Sequence, residues 1–574
     1  MHDNLTLNKI RNQVFIYIFF VIIARNFHFV YNYYAMIHSV QTKTSASTLV
    51  QTLLEMGVDS VFGYPGASVL SIYNELANTQ QIRHYLARHE QAAIHAAEGY
   101  ARTSGQVGVV LVTSGPGFTN TLTGIANAYA DSTPLVVLAG DVSGVNKHGK
   151  TFQKVDITAL SKSIAKKVFE VTSKDDISQV LKEAFMEAST GVKGPVVIGL
   201  PRNILENEYK PQKFETNIQK NDCHVDYLNE IKEINDLLNN AQRPLILVGG
   251  GCIDSASEVE HFASILQIPV ISTLMGIGIY PSENNLYLGM IGLNGVEAAN
   301  EALSQCDLLI ALGVAFSDRT TCKKNDFAKN CKVVSINLGD KHSKFQLEIT
   351  ADVKEFLTQC IEKQDLFIPQ EKWRMEADFL KGEDEECLMP EENYTRLHSS
   401  YVLETLSEFT KYYEPIVVTD VGQHQMLTAQ FFHFNKPRKF ITSGGLGTMG
   451  FGLPAAIGAH IANPNTLVLN ITGDGSFQMN LQELATCREH HIPVKIIIMN
   501  NGYLGMVRQM QEKLYNRRYQ VEMTNPDFTK IAEAYDLFAI RVNTKEELIP
   551  ALEKAIKHDG TAIIDIAIDS FENI

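Results

Sequence analysis

At 574 residues the chain exceeds a single core of ordinary size and fits about three to four domains of ~150 residues each. Its 45% hydrophobic and 20% charged content is that of a globular protein able to bury a large core. A formal net charge of −15 argues against nucleic acid as the main partner, because phosphate binding needs basic surface.

The N-terminus, residues 1–40, stands apart from the rest. "VFIYIFFVIIARNFHFVYNYYAM" opens with an apolar run, Val14 to Ala24, preceded by Lys9 and Arg11. The run is short for a span of ~20 residues and no small-x-small cleavage site follows it. Met36 precedes a polar stretch leading into a helix. Two readings stay open: a true start at Met36 with residues 1–35 as a mis-called extension, or a targeting segment. None of the eight cysteines forms a C-x-x-C pair, so neither a zinc site nor a disulfide framework is suggested, and a reduced, cytoplasmic setting is expected.

Strands and helices alternate with short loops over 41–205, which predicts a parallel sheet with helices on both faces. A second α/β segment over 225–362 opens on the strand-turn "PLILVGGGC". Residues 363–397, "EKWRMEADFLKGEDEECLMPEENY" among them, read as a polar linker. A third α/β segment fills 398–574. The fold class expected is α/β, with three doubly wound parallel-sheet domains.

The first and third segments share an order: apolar strand, glycine loop, helix, proline, strand. In the first the loop-to-proline interval runs from Gly115 to Pro134, and in the third from Gly473 to Pro493, nearly the same length. Any two parallel α/β units share some of this order. Two copies flanking a different unit nevertheless suggest a site built between copies.

The third segment carries the sharpest chemistry, "GDGSFQMNLQELATCREHHIPVKIIIMNN". Asp474 and Asn501 fall at the C-terminal ends of two predicted strands, where ligands collect in open parallel sheets. A lone Gly-Asp-Gly is most often a simple turn. With an Asn-Asn pair after the next apolar strand, it becomes a metal site. The Asp474 carboxylate, the Asn501 amide oxygen and the Tyr503 carbonyl would give a Mg²⁺ ion three of its ~six oxygens. Diphosphate oxygens would add more, held at Gly473 by the amides of Gly475 and Ser476 at a helix start.

That pattern is the diphosphate signature of thiamine-diphosphate enzymes. From about Ser45 onward the chain resembles the catalytic subunit of acetohydroxyacid (acetolactate) synthases. The likeness is carried by "GYPGASV", "ARHEQAAIHAAEGYAR", "VTSGPGFTN", "FQKVDI", "GQHQM", "SGGLGTMGFGLPAAIGA" and "NNGYLGMVRQMQ". It implies a pyrimidine-binding, a central and a diphosphate-binding domain, in this order. It also implies decarboxylation of pyruvate and ligation to a second 2-keto acid, giving acetolactate for branched-chain amino-acid synthesis.

By the same resemblance Glu90 is the carboxyl that bonds the cofactor's pyrimidine, though by itself it would read as a dipole-favoured glutamate at a helix start. Met449 wedges the cofactor's rings apart, Gly447 permits close approach, and Gly422, Gln423 and His424 face the diphosphate. Thr113, Asn120, Met479 and Met506 complete the implied cofactor set. For His424 a structural role is the alternative. Phe152, Gln153, Lys166 and Arg319 line the acceptor channel, with Arg319 as carboxylate clamp or, alternatively, a surface ion-pair residue. Sites shared between subunits imply a homodimer or homotetramer, and the resemblance admits a small regulatory subunit.

The chain departs from its family in places. Met510 and Leu427 replace tryptophans, and Ala67 replaces a glycine. An FAD site in the middle segment is implied by Gly249, Gly250, Thr273, Leu274, Asp352 and Val353, whereas Val192, Ala315 and Asn294 depart from that pattern. Other decarboxylases, oxidases or carboligases on the same cofactor are the rival enzyme reading. An inactive paralogue acting as a scaffold is the non-enzymatic one.

Overall fold

The computed structural model describes residues 43–142, 151–172, 176–209, 225–321, 327–329, 331–339, 345–363, 370–388 and 397–574. The apolar run at Val14–Ala24 and the candidate start at Met36 lie outside them. No helix of the described residues is long and apolar enough to cross a membrane.

Three six-stranded sheets form, each parallel throughout. The first holds β1 (Ser60–Tyr64), β2 (Arg83–Leu86), β3 (Gly108–Val112), β4 (Leu135–Asp141), β5 (Lys167–Glu170) and β6 (Pro195–Pro201), in the order β2-β1-β3-β4-β6-β5. The middle sheet holds β7 (Pro244–Val248), β8 (Val270–Ser272), β9 (Tyr287–Met290), β10 (Leu308–Leu312), β11 (Lys332–Asn337) and β12 (Leu347–Thr350), ordered β12-β11-β10-β7-β8-β9. The third holds β13 (Ile416–Thr419), β14 (Phe440–Ile441), β15 (Val468–Gly473), β16 (Lys495–Asn500), β17 (Phe538–Val542) and β18 (Ala562–Ala567), ordered β14-β13-β15-β16-β18-β17. Strand for strand, the third sheet repeats the first, and the middle sheet does not. The internal likeness read from the glycine loops is therefore a likeness of topology.

The strands are apolar runs because both faces of each sheet are covered. Along β3, Val109 and Leu111 enter one core while Val110 and Val112 enter the other. Along β16, Ile497 and Met499 face one core and Ile496 and Ile498 its opposite. The alternation is the two-residue period of a strand.

The polar stretch expected to be a linker is helical over Glu371–Leu388. Trp373 and Ala377 are buried on the middle sheet's helix layer, Leu380 packs against them, and the Trp373 indole N–H donates to the Pro244 carbonyl at 2.9 Å. Three anchors at i, i+4 and i+7 suffice to dock a helix whose other faces are charged, which is why the segment reads as polar.

The outer sheets meet through two helices, Glu90–Ser104 after β2 and Gly452–Ala462 after β14. A Cβ at Gly99 would lie 1.9 Å from the Ala455 carbonyl oxygen, and one at Gly458 would lie 1.7 Å from that of Ala96. The backbones touch directly at both places. Ala96 and Gly99 in one helix have the same spacing as Ala455 and Gly458 in the other, and each glycine faces the other helix's alanine, so the crossing has a local two-fold relation within one chain.

Candidate active site

In the third sheet the chain order reverses between β13 and β15, the place where open α/β sheets leave a crevice. Asp420–Gly422 lead from β13 into helix Gln423–Phe431, and beside them β15 runs directly into helix Asp474–Phe477. Ser476 Oγ donates to the Val421 carbonyl at 2.9 Å and binds the two segments together. A Cβ at Gly473 would lie 2.9 Å from the His424 ring, so only glycine leaves the imidazole its place.

Asp474 opens the short helix Asp474–Phe477 and is 2% exposed. Its Oδ2 accepts the Gly502 N–H at 2.9 Å and the Asn525 amide at 2.6 Å. Burial pushes its pKa up to about 6, against the lowering effect of those donors. Asn501 follows β16, its Oδ1 accepting the Tyr503 N–H at 2.9 Å and its amide facing the Gln423 oxygen at 3.4 Å. The first asparagine of the pair, Asn500, instead donates to Asp565 at 2.9 Å and accepts from Asn525 at 3.0 Å. His424 is buried, which lowers its pKa to about 4 and keeps it neutral, and among the described residues its Nε2 has no hydrogen-bond partner.

The residues expected on the pyrimidine side gather at the first sheet. Glu90 begins its helix, and its Oε2 accepts the Asn120 amide at 2.9 Å. Thr113, at the tip of β3, bonds Ser68 Oγ at 2.9 Å, and a Cβ on Gly117 would meet both Thr113 and Glu90. Gln153 sits against Gly115 with a left-handed backbone, φ 58°. Among the described residues, no hydrogen bond or ion pair joins the Glu90 group to the Asp474 group.

Three thiamine pyrophosphate enzyme models match the chain: the N-terminal binding domain over residues 43–160, the central domain over 231–360 and the C-terminal binding domain over 420–566. The isozyme 3 large subunit of acetolactate synthase from Escherichia coli is 38% identical over 554 residues, covering 92% of this chain and 96% of that protein. A probable acetolactate synthase large subunit from Methanocaldococcus jannaschii is 39% identical over 92% of both chains. The chloroplastic acetolactate synthase of Arabidopsis thaliana is 37% identical, covering 93% of this chain and 82% of that one. This chain belongs to the acetolactate synthase large-subunit family.

Other residues that the family resemblance singled out fall in varied settings. Arg319 donates to the Gly444 carbonyl at 2.9 Å, and Asp131 accepts the Gly444 and Gly445 N–H groups at 3.1 and 2.6 Å. All three sheets thus converge on the loop that carries Gly447 (φ 72°) and Met449. Lys166 is set apart from this group. Its ammonium donates to the Glu187 and Thr190 carbonyls at 2.5 and 2.7 Å, at the end of helix Ile177–Ser189. That is a helix C-terminal cap. Phe152 is 85% exposed, Met479 and Met510 are exposed and Met506 is half-buried. Leu427 is buried in the third sheet's core, away from any exposed wall.

At the family's FAD positions, the chain's own packing uses several groups. Gly249 and Gly251 abut the backbone at Gly313, Gly250 abuts Met275, and the Thr273 N–H donates to the Val248 carbonyl at 3.0 Å. Asp352 caps helix Val353–Glu362 through the Lys354 and Glu355 N–H groups, Val353 is core, and Leu274 packs on the third sheet's core.

Sequence reasoning missed three residues that build the site. Asp420, fully buried at the tip of β13, accepts N–H groups from Val421, Gly450 and Gly452 at 2.8, 2.9 and 2.9 Å and so fixes the Met449 loop. A carboxylate at a strand tip was the signal used for Asp474, and it applies equally to Asp420. Asn525 and Glu483 carry no local signal.

Proposed function

We propose that the protein is a Mg²⁺- and thiamine-diphosphate-dependent acetolactate synthase, organised as domains 41–205, 225–362 and 398–574. It decarboxylates pyruvate and joins the two-carbon unit to a second 2-keto acid. The observation that carries this reading is the buried Asp474 carboxylate, with half-buried Asn501 at the tip of the next strand, close to a His424 Nε2 left without a partner among the described residues, at the crevice between β13 and β15. Among the described residues no cluster of three or more His, Cys, Asp or Glu could hold a metal. One carboxylate, one amide and one carbonyl, from Asp474, Asn501 and Tyr503, instead suit a hard cation that keeps phosphate and water as its other ligands.

When bound, thiamine diphosphate supplies the nucleophilic carbon and the electron sink. The chain supplies position and proton control. Gly473, Gly475 and Ser476 present amides to the diphosphate, Gly422 and Gln423 border it, and neutral His424 donates or accepts at Nε2. Glu90 shares a proton with the pyrimidine, oriented by Asn120. Met449 and Gly447 would border the cofactor between its two binding ends, and Thr113, Met479 and Met506 would flank it. Gln153 and Arg319 face the keto acids, with Arg319 as carboxylate clamp. As the family resemblance implies, each site takes its Glu90 group from one copy and its Asp474 group from another, so that two copies complete two sites and a homodimer is the smallest active form. A reducing, cytoplasmic setting suits Cys252, Cys306, Cys331, Cys360 and Cys487, all of them free.

Incubation with pyruvate, Mg²⁺ and thiamine diphosphate tests the reading. Acetolactate is expected, whereas acetaldehyde or acetate alone would make the protein a decarboxylase or an oxidase. FAD takes no step in this scheme. Gly249 is already required by the backbone at Gly313 and Gly250 sits against Met275, and a flavin spectrum of the purified protein decides its presence.

A further inference from the structure

Glu483 ends the segment that Asp474 begins, in a 3₁₀ turn, Leu481–Glu483, of the third sheet's domain. It is 1% exposed, yet it does not face the diphosphate crevice. Both its oxygens accept the backbone N–H of Arg88, at 2.9 and 3.1 Å, and Thr486 Oγ1 donates to it at 2.6 Å. Thr486 Oγ1 also lies 3.3 Å from the Leu86 carbonyl, and the Arg88 guanidinium pairs with Glu489. A carboxylate of the third sheet's domain therefore grips the loop of the first sheet's domain, two residues before Glu90.

Burying a carboxylate is costly, and burial raises the pKa of Glu483 against its hydrogen bonds. A neutral acceptor would satisfy one N–H at lower cost. A charged, two-oxygen acceptor holds the donor in a narrower geometry. The held donor sits where the chain turns from β2 into the helix that starts at Glu90, so any shift of Arg88 moves the carboxyl of Glu90.

We infer that Glu483 is a positioning residue for Glu90, acting through the Arg88 backbone. The inference rests on the reading of Glu90 given above. On that reading, the segment that binds one cofactor's diphosphate through Asp474 also sets, through Glu483, the carboxyl lent to the other cofactor of the dimer. The two sites are thereby joined by a short path of protein.

The test uses the full-length protein with Glu90→Gln, Glu483→Ala, Glu483→Gln and the Glu90→Gln/Glu483→Ala double variant. Exchange of the C2 proton of bound thiamine diphosphate is read by quenched-flow NMR, cofactor affinity by calorimetry, and amide exchange of the peptide spanning residues 86–91 by mass spectrometry without cofactor. Glu483→Ala should slow C2 exchange about tenfold or more, as misplacement of a catalytic group by a fraction of an ångström does. Cofactor affinity should stay within about threefold, because Glu483 does not reach the diphosphate crevice. The 86–91 peptide should lose protection. Glu483→Gln, which keeps one acceptor for Arg88 but loses the charge and the second, should recover only part of both losses, and the double variant should be no slower than Glu90→Gln alone.

Unchanged C2 exchange in Glu483→Ala, with Glu90→Gln slow, overturns the positioning role and leaves Glu90 standing. Loss of exchange in step with loss of cofactor affinity also overturns it. Fast exchange in Glu90→Gln removes the reading of Glu90 and this inference with it. If Glu483→Ala does not fold, Glu483→Asp replaces it: the shorter side chain must pull on Arg88, and unchanged exchange there is again fatal.

Discussion

The first and third sheets have one strand order and two chemistries. At the reversal between β1 and β3, hydroxyls meet: Ser68 and Thr113 bond each other, and the Ser114 N–H donates to Ser68 at 3.0 Å. At the matching reversal between β13 and β15 stand a buried carboxylate, an amide and a neutral imidazole. The topology thus fixes where a ligand goes, and the strand-tip residues fix which part of a ligand it is. On the proposed reading, a charged, metal-bridged group belongs to the third sheet, and an uncharged ring, read by a single carboxyl beside neutral hydroxyls and amides, belongs to the first.

The largest effect expected is at the third sheet. Asp474→Ala should abolish turnover together with Mg²⁺ and cofactor binding, since the carboxylate charge holds the cation. Calorimetry with both ligands checks it, and retained affinity would erase the contrast between the sheets. Glu90→Gln, at the first sheet, should leave cofactor bound and slow turnover by about two orders of magnitude. Near-normal steady-state rates would strip the first sheet of its role.

Substitutions at the helix crossing ask whether the two copies are equivalent in packing as well as in order. Gly99→Ala and Gly458→Ala each force a methyl into a facing carbonyl and should each cost about 1–3 kcal/mol. Equal losses in urea melts would sharpen the comparison, and a large loss at one glycine alone would break it. The smallest effect is on specificity. Met510 is 58% exposed on helix Gly505–Tyr515 and has three rotatable bonds, so it shapes a pocket poorly. Little preference for 2-ketobutyrate over pyruvate is expected. Met510→Trp should raise that preference about tenfold, near 1.4 kcal/mol, in competition assays. With Leu427 confined to the core, a strong preference in the unsubstituted enzyme would mean another side chain forms the wall.

What the sequence disclosed was local. Asp474 and Asn501 announce themselves because strand, turn and amide pair are contiguous, and the shared order of the outer sheets shows in their glycine loops. Glu90, His424 and Met449 were legible only through the family likeness. The capping of the Glu187 and Thr190 carbonyls by Lys166 was illegible because those carbonyls reach it only through tertiary folding. The helix at Glu371–Leu388 hid because its few apolar anchors are diluted by charge. Asn525 and Glu483 were invisible because their partners, Asp474 and the Arg88 N–H, are set by tertiary folding.

The glycine crossing also dictates an order of events during synthesis. Ala96 and Gly458 lie hundreds of residues apart in the chain, so the helix after β2 emerges long before the helix that covers it. At ~5–20 residues per second, the alanine- and glycine-rich face of the first domain waits for tens of seconds without its partner. The first and third domains must therefore fold separately and dock late, with closure of a very long loop preceding any gain from the crossing. Chains stalled or cut before residue 452 will present that bare helix face to one another, and it is there that a nascent molecule of this protein is most open to aggregation and to capture by chaperones.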